Sequence, residues 1–312
     1  MAYRMKILLT GSNGLLGQKL VALLRQQPDL TFIATSRGAN KLAGLYPDVH
    51  FINLDVSDAA QVQQVLGQEQ PTHLIHTAAM TNVDECELNR EACWQHNVTA
   101  VENLVQACAR QHIHLTHLST DFIFSGEAGP LAEDAAPGPV NFYGESKLAA
   151  EQAVQASSGP WAIARTVLVY GVAHDYGRTN IVLWVRDSLR AGKPIKVVAD
   201  QWRTPTLAED LAQGCWLLAR QSAQGIYHIS GEELLTPHAL ALRVAAHFGL
   251  DASLIEQVDA RTFTQPARRP TRTGFLIDKA RRDLGYRPHT LAEGIALVEA
   301  QSEAAARQAT GR

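Results

Sequence analysis

The sequence contains few cysteines, and none of them has the spacing of a metal site or a disulfide framework. Its four cysteines are Cys86, Cys93, Cys108 and Cys215, and no two form a Cys-x-x-Cys pair. Structural zinc sites and small disulfide-stapled folds depend on closely spaced cysteines. The carboxylates are scattered as well, without the spacing of metal ligands. We therefore predict neither a disulfide framework nor a metal site.

Long apolar runs, a signal peptide and a marked excess of one charge are missing too. No apolar run reaches the roughly 18 residues that a membrane span needs, and the chain begins directly with a strand-like segment. The 28 Lys and Arg nearly balance the 31 Asp and Glu, for a net charge of −3. Proteins that bind nucleic acids or membrane surfaces usually carry a basic excess. We expect a cytoplasmic protein that contacts neither nucleic acid nor membrane.

What the sequence does contain is a regular alternation of short strand-like segments and longer helical patterns over its first 170 residues. Strands are predicted at 6–10, 31–35, 50–53, 73–76, 114–119 and 161–165. Between them apolar residues recur at helical spacing, as in Leu16, Leu20 and Leu24. This alternation is typical of βαβ units with a parallel sheet covered on both faces. The predicted fold class is α/β, with a doubly wound parallel sheet of the Rossmann type.

The pattern changes after residue 170. A polar loop at 173–179 precedes helices predicted at 181–191, 207–219, 237–248, 278–284 and 291–300, with strands at 195–198 and 225–230, a loop at 264–272 and a frayed tail. We predict an NAD(P)-binding domain at 1–170, to which strand 225–230 returns, and a smaller α+β, mainly substrate-binding lobe at 171–312. A cleft between the two is the expected ligand site.

A glycine-rich turn joins the first predicted strand to the first predicted helix. Gly11, Gly14 and Gly17 would let the backbone turn tightly and approach a pyrophosphate that rests on the helix N-terminus. With Asn13 and Leu15 between them, they are predicted to bind a dinucleotide cofactor. The alternative is an ordinary strand–helix turn packed by glycine.

The end of the second predicted strand favours NADP(H), with NAD(H) possible as well. A carboxylate here would bind the ribose hydroxyls of NAD, whereas this segment carries Ser36, Arg37 and Lys41. Arginine accommodates a 2′-phosphate, although Arg37 and Lys41 would also suit a solvated loop. After the third strand, Asp55 and Val56 would contact the adenine, unless Asp55 caps the next helix.

Tyr143 and Lys147 are four residues apart, about one helical turn, so their side chains face the same way. A nearby ammonium is expected to lower the pKa of the tyrosine from about 10. Tyr143 would then protonate the alkoxide that forms as hydride reaches a carbonyl carbon. Thr120, which ends a predicted strand, would hydrogen-bond the same oxygen. The alternatives are a surface pair for Tyr143 and Lys147, a helix cap for Thr120 and a turn former for Asp121.

Several segments together resemble an extended short-chain dehydrogenase/reductase, and more closely the dTDP-4-dehydrorhamnose reductase family. They are the glycine-rich turn, 76–79, 81–87, Asn97, 119–126, 143–148, 165–166, 169–171, 200–206, 269–270 and 284–288. The resemblance extends over the chain to about residue 298.

This resemblance implies reduction of the 4-keto group of a dTDP-linked 6-deoxysugar by NAD(P)H, which gives dTDP-L-rhamnose. The family's catalytic positions fall on Thr120, Tyr143 and Lys147, and the last two would also contact the cofactor. Further cofactor positions are Ala78, Ala79, Thr81 and Asn97, the last of which lies on a helix that supports the active site. The substrate positions are Thr81, Val83, Asp121, Asn180, Trp202 and Arg269, and Arg269 would pair with the substrate phosphates. A sugar nucleotide is the implied partner, bound by a monomer or homodimer.

Departures from the family pattern leave the sugar nucleotide open. Phe122, Phe124, Ser125 and Trp202 are unusual, and Trp202 either stacks on a base or sugar or fills the core. A 4,6-dehydratase has an acid where Phe122 stands, and a 4-epimerase retains NAD, which Arg37 does not favour. The remaining alternatives are a reductase or epimerase of another sugar nucleotide, and an NADP-binding regulatory subunit resembling the methionine adenosyltransferase β subunit.

Overall fold

The computed structural model describes residues 5–175, 177 and 179–309. Residues 1–4, Tyr176 and Arg178 of the predicted polar loop, and residues 310–312 of the predicted frayed tail lie outside this part. The strands are β1 Lys6–Thr10, β2 Thr31–Ser36, β3 Phe51–Asn53, β4 His73–His76, β5 His114–Thr120, β6 Trp161–Thr166, β7 Val169–Tyr170, β8 Ile195–Val198, β9 Thr206–Leu207, β10 Gly225–His228 and β11 Ile255–Val258. The α-helices are α1 Leu15–Leu24, α2 Ala59–Glu69, α3 Val83–Leu88, α4 Arg90–Trp94, α5 Ala100–Gln111, α6 Phe142–Gln155, α7 Ile181–Arg190, α8 Ala208–Arg220, α9 Pro237–His247, α10 Asp278–Leu284 and α11 Leu291–Ala309.

Seven of the strands form one parallel sheet, in the order β10-β6-β5-β4-β1-β2-β3. Alternate residues of a strand point to opposite faces, and accordingly Ile7 and Leu9 pack on one side of the sheet and Leu8 on the other. Helices α1, α8 and α10 cover the first face, and α2, α5 and α6 cover the second. The predicted α/β fold class, a doubly wound Rossmann-like sheet, is confirmed.

A second apolar core lies in the later part of the chain. It packs α7, α9 and α11 around the parallel pair β8–β11, while the short strands β7 and β9 pair beside it. Strand β10 and helix α8 instead join the large sheet and its covering layer, because β10 pairs in register with β6. Among the described residues, no helix is both long and apolar enough to cross a membrane.

The predicted strand boundaries agree with the structure closely, but the predicted frayed tail is wrong for residues 301–309. Helix α11 continues to Ala309. Alanine, glutamate and arginine favour helix, Glu303 and Arg307 pair one turn apart, and Arg186 donates to the hydroxyl of Ser302 at 2.6 Å. These contacts hold the first part of the extension against α7.

Candidate active site

The glycine-rich turn lies where the strand order of the sheet reverses. Strand β1 is flanked by β2 and β4, and doubly wound sheets bind ligands at such a point. Gly11 has φ +74°, and a Cβ there would lie 2.7 Å from the backbone nitrogen of Ala78, beyond β4. The fold therefore brings two predicted cofactor segments together, at a separation that only glycine allows.

The N-terminus of α1 has the features of an anion site. Gly14 is its N-cap, and no side chain of the described residues caps it. A Cβ at Gly17 would lie 2.1 Å from the carbonyl oxygen of Gly11, and the buried hydroxyl of Ser12 has no hydrogen-bond partner in the described part of the chain. Free first-turn N–H groups attract phosphates, so these residues fit a dinucleotide pyrophosphate.

Arg37 lies at the exposed end of β2, beside Asp55. Its Nη1 is 3.9 Å from Asp55 Oδ2, and its side chain is 68% exposed. Burial acts to raise the pKa of Asp55, but hydrogen bonds from Ser57 outweigh it and the pKa is lowered. Helix α2 is capped by Asp58, so the alternative cap role of Asp55 is wrong.

Asn13 reaches from the glycine-rich turn to the segment that follows β2. It donates to the carbonyl of Ala39 at 2.9 Å and accepts from the N–H of Lys41 at 3.0 Å. Its side chain therefore shapes the segment that carries Arg37, in addition to any cofactor contact.

Asn97 supports the cofactor segment after β4 from behind. It is buried in a π-helical turn, Gln95–Thr99. Its amide accepts from the N–H of Met80 at 2.8 Å and donates to the carbonyl of Met80 at 3.0 Å and to Ser146 Oγ at 3.1 Å. These bonds fix the backbone next to Ala79, which agrees with a supporting role, and both polar atoms of the Asn97 side chain are engaged within the protein.

Thr120, Tyr143 and Lys147 come together as predicted. Thr120 ends β5, and its hydroxyl lies beside Tyr143 on α6 and donates to Asp121 Oδ1 at 3.1 Å. Lys147, one turn later, donates to the carbonyl of Leu118 at 2.7 Å and lies 3.4 Å from His117 Nε2. All three side chains are buried, so the surface-pair alternative for Tyr143 and Lys147 is wrong.

The expected lowering of the tyrosine pKa is also wrong. Burial raises the pKa of Tyr143, and this effect outweighs the opposite influence of the neighbouring Thr120 hydroxyl. Burial lowers the pKa of Lys147 to about 8, although Glu151 acts in the opposite direction. In the folded chain desolvation decides both values, and Tyr143 keeps its proton at neutral pH.

Asp121 does not face a substrate cleft. Only 2% of its side chain is exposed, Arg203 Nε lies 3.5 Å from its Oδ2, and Thr120 and Thr273 donate to it. The predicted substrate contact is therefore corrected. Asp121 is a buried anion that holds the hydroxyl of Thr120, and burial raises its pKa.

The other predicted substrate residues differ in their exposure and in whether their side chains are engaged within the protein. Asn180 caps α7, accepting from Leu183 N–H and donating to the carbonyl of Gly171, so its amide is occupied structurally. Trp202 is 37% exposed and Arg272 lies 5.1 Å from its ring, which rules out the role of core filler. Val83 begins α3 and packs near Tyr143, whereas Thr81 is exposed.

The predicted phosphate ligand Arg269 is engaged by a residue that the sequence analysis gave no role. Its Nη1 and Nη2 donate to the two oxygens of Asp84 at 2.6 and 2.7 Å. Asp84 also accepts a hydrogen bond from the N–H of Ala267 at 3.1 Å. The loop predicted at 264–272 is thereby attached to the start of α3.

Two more contacts that orient Tyr143 were missed. Asn141 caps α6, accepting from Gly144 N–H at 2.8 Å, and Glu87 accepts from Phe142 N–H at 3.0 Å. An asparagine directly before a helical pattern is a recognised cap signal that could have identified the first. Glu87 acts across 55 residues, for which the sequence has no local signal.

Within the described ranges, no group of three His, Cys, Asp or Glu could hold a metal ion.

Comparison with known proteins agrees with this geometry. The family described as RmlD substrate binding domain matches residues 5–303. A probable low-salt glycan biosynthesis reductase, Agl14 of Haloferax volcanii, is 31% identical, and the match covers 93% of this chain and 96% of that protein. A dTDP-4-keto-6-deoxy-D-glucose reductase of Streptomyces niveus is 33% identical, and the match covers 90% of this chain and 91% of that protein.

Two further relatives bear on cofactor and function. The crystal structure of dTDP-4-dehydrorhamnose reductase from Bacillus anthracis, in complex with NADP, is 27% identical with a TM-score of 0.83, over 96% of this chain and 99% of that one. Methionine adenosyltransferase 2 subunit beta of Xenopus tropicalis is 29% identical, and the match covers 81% of this chain and 75% of that protein. With a family match over nearly its whole length, this chain belongs to the RmlD substrate-binding-domain family of extended short-chain dehydrogenases/reductases.

Proposed function

We propose that this protein reduces the 4-keto group of a nucleotide-linked 6-deoxysugar with NADPH, converting dTDP-4-dehydrorhamnose to dTDP-L-rhamnose. The observation that carries the proposal is the buried cluster of three side chains, with Thr120 at the end of β5 beside Tyr143 and with Lys147 one turn after Tyr143 on α6. Family membership and the reductases among the relatives support it.

The proposed chemistry follows from which groups hold protons. A bound reduced nicotinamide supplies the hydride. Because burial raises the pKa of Tyr143, its phenol stays protonated and donates that proton to the carbonyl oxygen as negative charge develops there. Thr120 donates a hydrogen bond to the same oxygen when its hydroxyl turns away from Asp121 Oδ1, which accepts it in the free protein. Lys147, with a pKa of about 8, carries a positive charge in most molecules at neutral pH and favours the resulting phenolate.

We further propose the cofactor preference and the organisation of the chain. The absence of a carboxylate directly after Ser36, together with the exposed Arg37, supports NADPH over NADH. The separate apolar core around α7, α9 and α11 supports a substrate lobe within 171–312 and a cofactor domain within 1–170, to which β10 returns. A cytoplasmic location and a monomeric or homodimeric state stay predictions.

The test is consumption of NADPH with dTDP-4-keto-6-deoxy-L-mannose generated in situ, run in parallel with NADH and with identification of the product. We expect rapid oxidation of NADPH and a dTDP-rhamnose product. Tight NADPH binding without consumption would instead favour another keto-sugar nucleotide or a regulatory subunit like the methionine adenosyltransferase relatives.

A matched pair of tyrosine variants checks the assigned proton donor. Tyr143→Phe should lower kcat by about 10²-fold or more and leave the NADPH dissociation constant nearly unchanged. Tyr227→Phe, on the outermost strand β10, serves as the control and should retain activity. A fully active Tyr143→Phe enzyme would refute the mechanism.

A further inference from the structure

The contact between Asp84 and Arg269 occupies the group that the proposed function gives to the substrate. Arg269 Nη1 donates to Asp84 Oδ1 and to the carbonyl of Ala267, both at 2.6 Å, and Nη2 donates to Asp84 Oδ2 at 2.7 Å. A guanidinium has five N–H groups, so three of them are committed. A phosphate that binds bidentately to the same Nη1–Nη2 edge of Arg269 must take over donors that Asp84 now holds.

This ion pair lies beside the catalytic helix. Asp84 follows Val83, which packs with Phe142 and Tyr143 in one apolar cluster. The neighbouring Arg268 contributes its carbonyl to the side chain of Asn141, the N-cap of α6, at 2.7 Å. An anion held by Arg269 is therefore close to the end of α6 that carries the proton donor.

The surroundings of the Asp84–Arg269 pair also allow its members to exchange partners. Its side chains are 32% and 17% exposed, so water and a ligand reach it without unfolding. If the arginine moves to another anion, Asp84 keeps the hydrogen bond from Ala267 N–H at 3.1 Å. Its carboxylate is then still partnered and partly hydrated, which keeps the cost of exchange small.

We propose that Asp84 is a positioning residue that competes with the diphosphate of a nucleoside-diphosphate sugar for Arg269. The inference rests on the proposed function, which brings such a diphosphate to this arginine. In the free protein Asp84 holds Arg269 at the edge of the site and neutralises its charge. The substrate displaces Asp84, so binding is weaker than an unpaired arginine would allow, and product release is correspondingly easier.

The experiment measures the dissociation constant of dTDP by calorimetry for the wild type and for Asp84→Asn. Removal of the competing charge should tighten dTDP binding about fivefold. The KM for the sugar nucleotide should fall by a similar factor while the KM for NADPH is unchanged. A merely structural role of Asp84 would instead weaken binding or shift both KM values together.

Two controls separate competition for Arg269 from a general effect of charge. Glu85→Gln removes an equal charge from an exposed position on the same helix and should change dTDP affinity by less than about twofold. In an Arg269→Met background, Asp84→Asn should bring no gain, because nothing is left to compete for. An equal gain in that background, or weaker or unchanged binding by Asp84→Asn alone, overturns the proposal.

The same measurements distinguish this proposal from the proposed function. Tighter dTDP binding by Asp84→Asn without turnover of the keto sugar would refute only the proposed reaction and support the competition. Turnover with an unchanged dTDP dissociation constant in Asp84→Asn would refute only the competition. Absence of measurable dTDP binding by both proteins would overturn the competition as well.

Discussion

Among the residues that the structure describes, two aspartate–arginine pairs connect the first half of the chain to the second, and they differ sharply in burial. Asp121 and Arg203 have side chains that are 2% and 5% exposed. For Asp84 and Arg269 the values are 32% and 17%. The buried pair has further partners, since Arg203 donates to the carbonyls of Pro270 at 2.6 Å and Trp202 at 2.8 Å.

This difference in burial separates a scaffold from an exchangeable contact. A buried charge that loses its partner stays uncompensated in a medium of low polarity, so the Asp121–Arg203 pair must remain intact in the folded state. An exposed pair contributes little net stability and its members can find other ions. The pKa values agree, because burial raises that of Asp121 whereas the hydrogen bond from Arg269 lowers that of Asp84. The fixed pair holds Thr120, and the exposed pair lies where a substrate anion is proposed.

The largest expected effect is loss of stability on breaking the buried pair. Arg203→Met leaves Asp121 buried without its counter-ion and removes the donor to the carbonyl of Pro270, which should lower the free energy of unfolding by about 3–5 kcal/mol. Chemical denaturation followed by circular dichroism measures this loss.

Arg269→Met is the matched control for that measurement. It removes the exposed arginine and should cost no more than about 1 kcal/mol. Arg203→Lys, which keeps the charge, should lie between the two and provides a folded variant if Arg203→Met does not accumulate. Similar losses for Arg203→Met and Arg269→Met would contradict the comparison.

The large sheet and its ligand-binding edge could be predicted because their signals are local. Alternating short strands and amphipathic helices identify βαβ units wherever they occur, and glycines after the first strand mark the turn at Gly11 and Gly17. The four-residue spacing of Tyr143 and Lys147 likewise requires only that the segment be helical.

The two ion pairs could not be predicted in the same way, because they join residues far apart in the chain. Asp84 and Arg269 are separated by 185 positions, and no local pattern pairs one aspartate with one arginine. Burial is equally invisible in the residues around a side chain. The pKa of Tyr143 was therefore misjudged, since spacing indicated a neighbouring lysine but not the extent of desolvation.

Arg37 extends the comparison to a third aspartate–arginine pair, which is loose and exposed. Because its guanidinium is 3.9 Å from Asp55, it should be available to a 2′-phosphate. Arg37→Ala should raise the KM for NADPH about tenfold or more, the effect of losing one charged hydrogen bond, and leave the KM for NADH within about twofold. Steady-state kinetics with both cofactors tests this; equal losses would refute the 2′-phosphate contact.

The smallest effect is a pH dependence of opposite sign in the two connecting pairs. The pKa of Asp84 is lowered from 3.8 in the folded state, so its contribution to stability is complete above that value and disappears as the pH falls through the folded pKa. The pKa of Asp121 is raised, so its contribution weakens as the pH rises from 3.8 through the folded value. The difference in unfolding free energy between wild type and Asp84→Asn should be at most about 1 kcal/mol at pH 7 and should shrink at pH 3. Urea titrations of both proteins across this range measure it, and a difference that grows toward acid pH would mean that Asp84 resembles the buried aspartate rather than an exposed one.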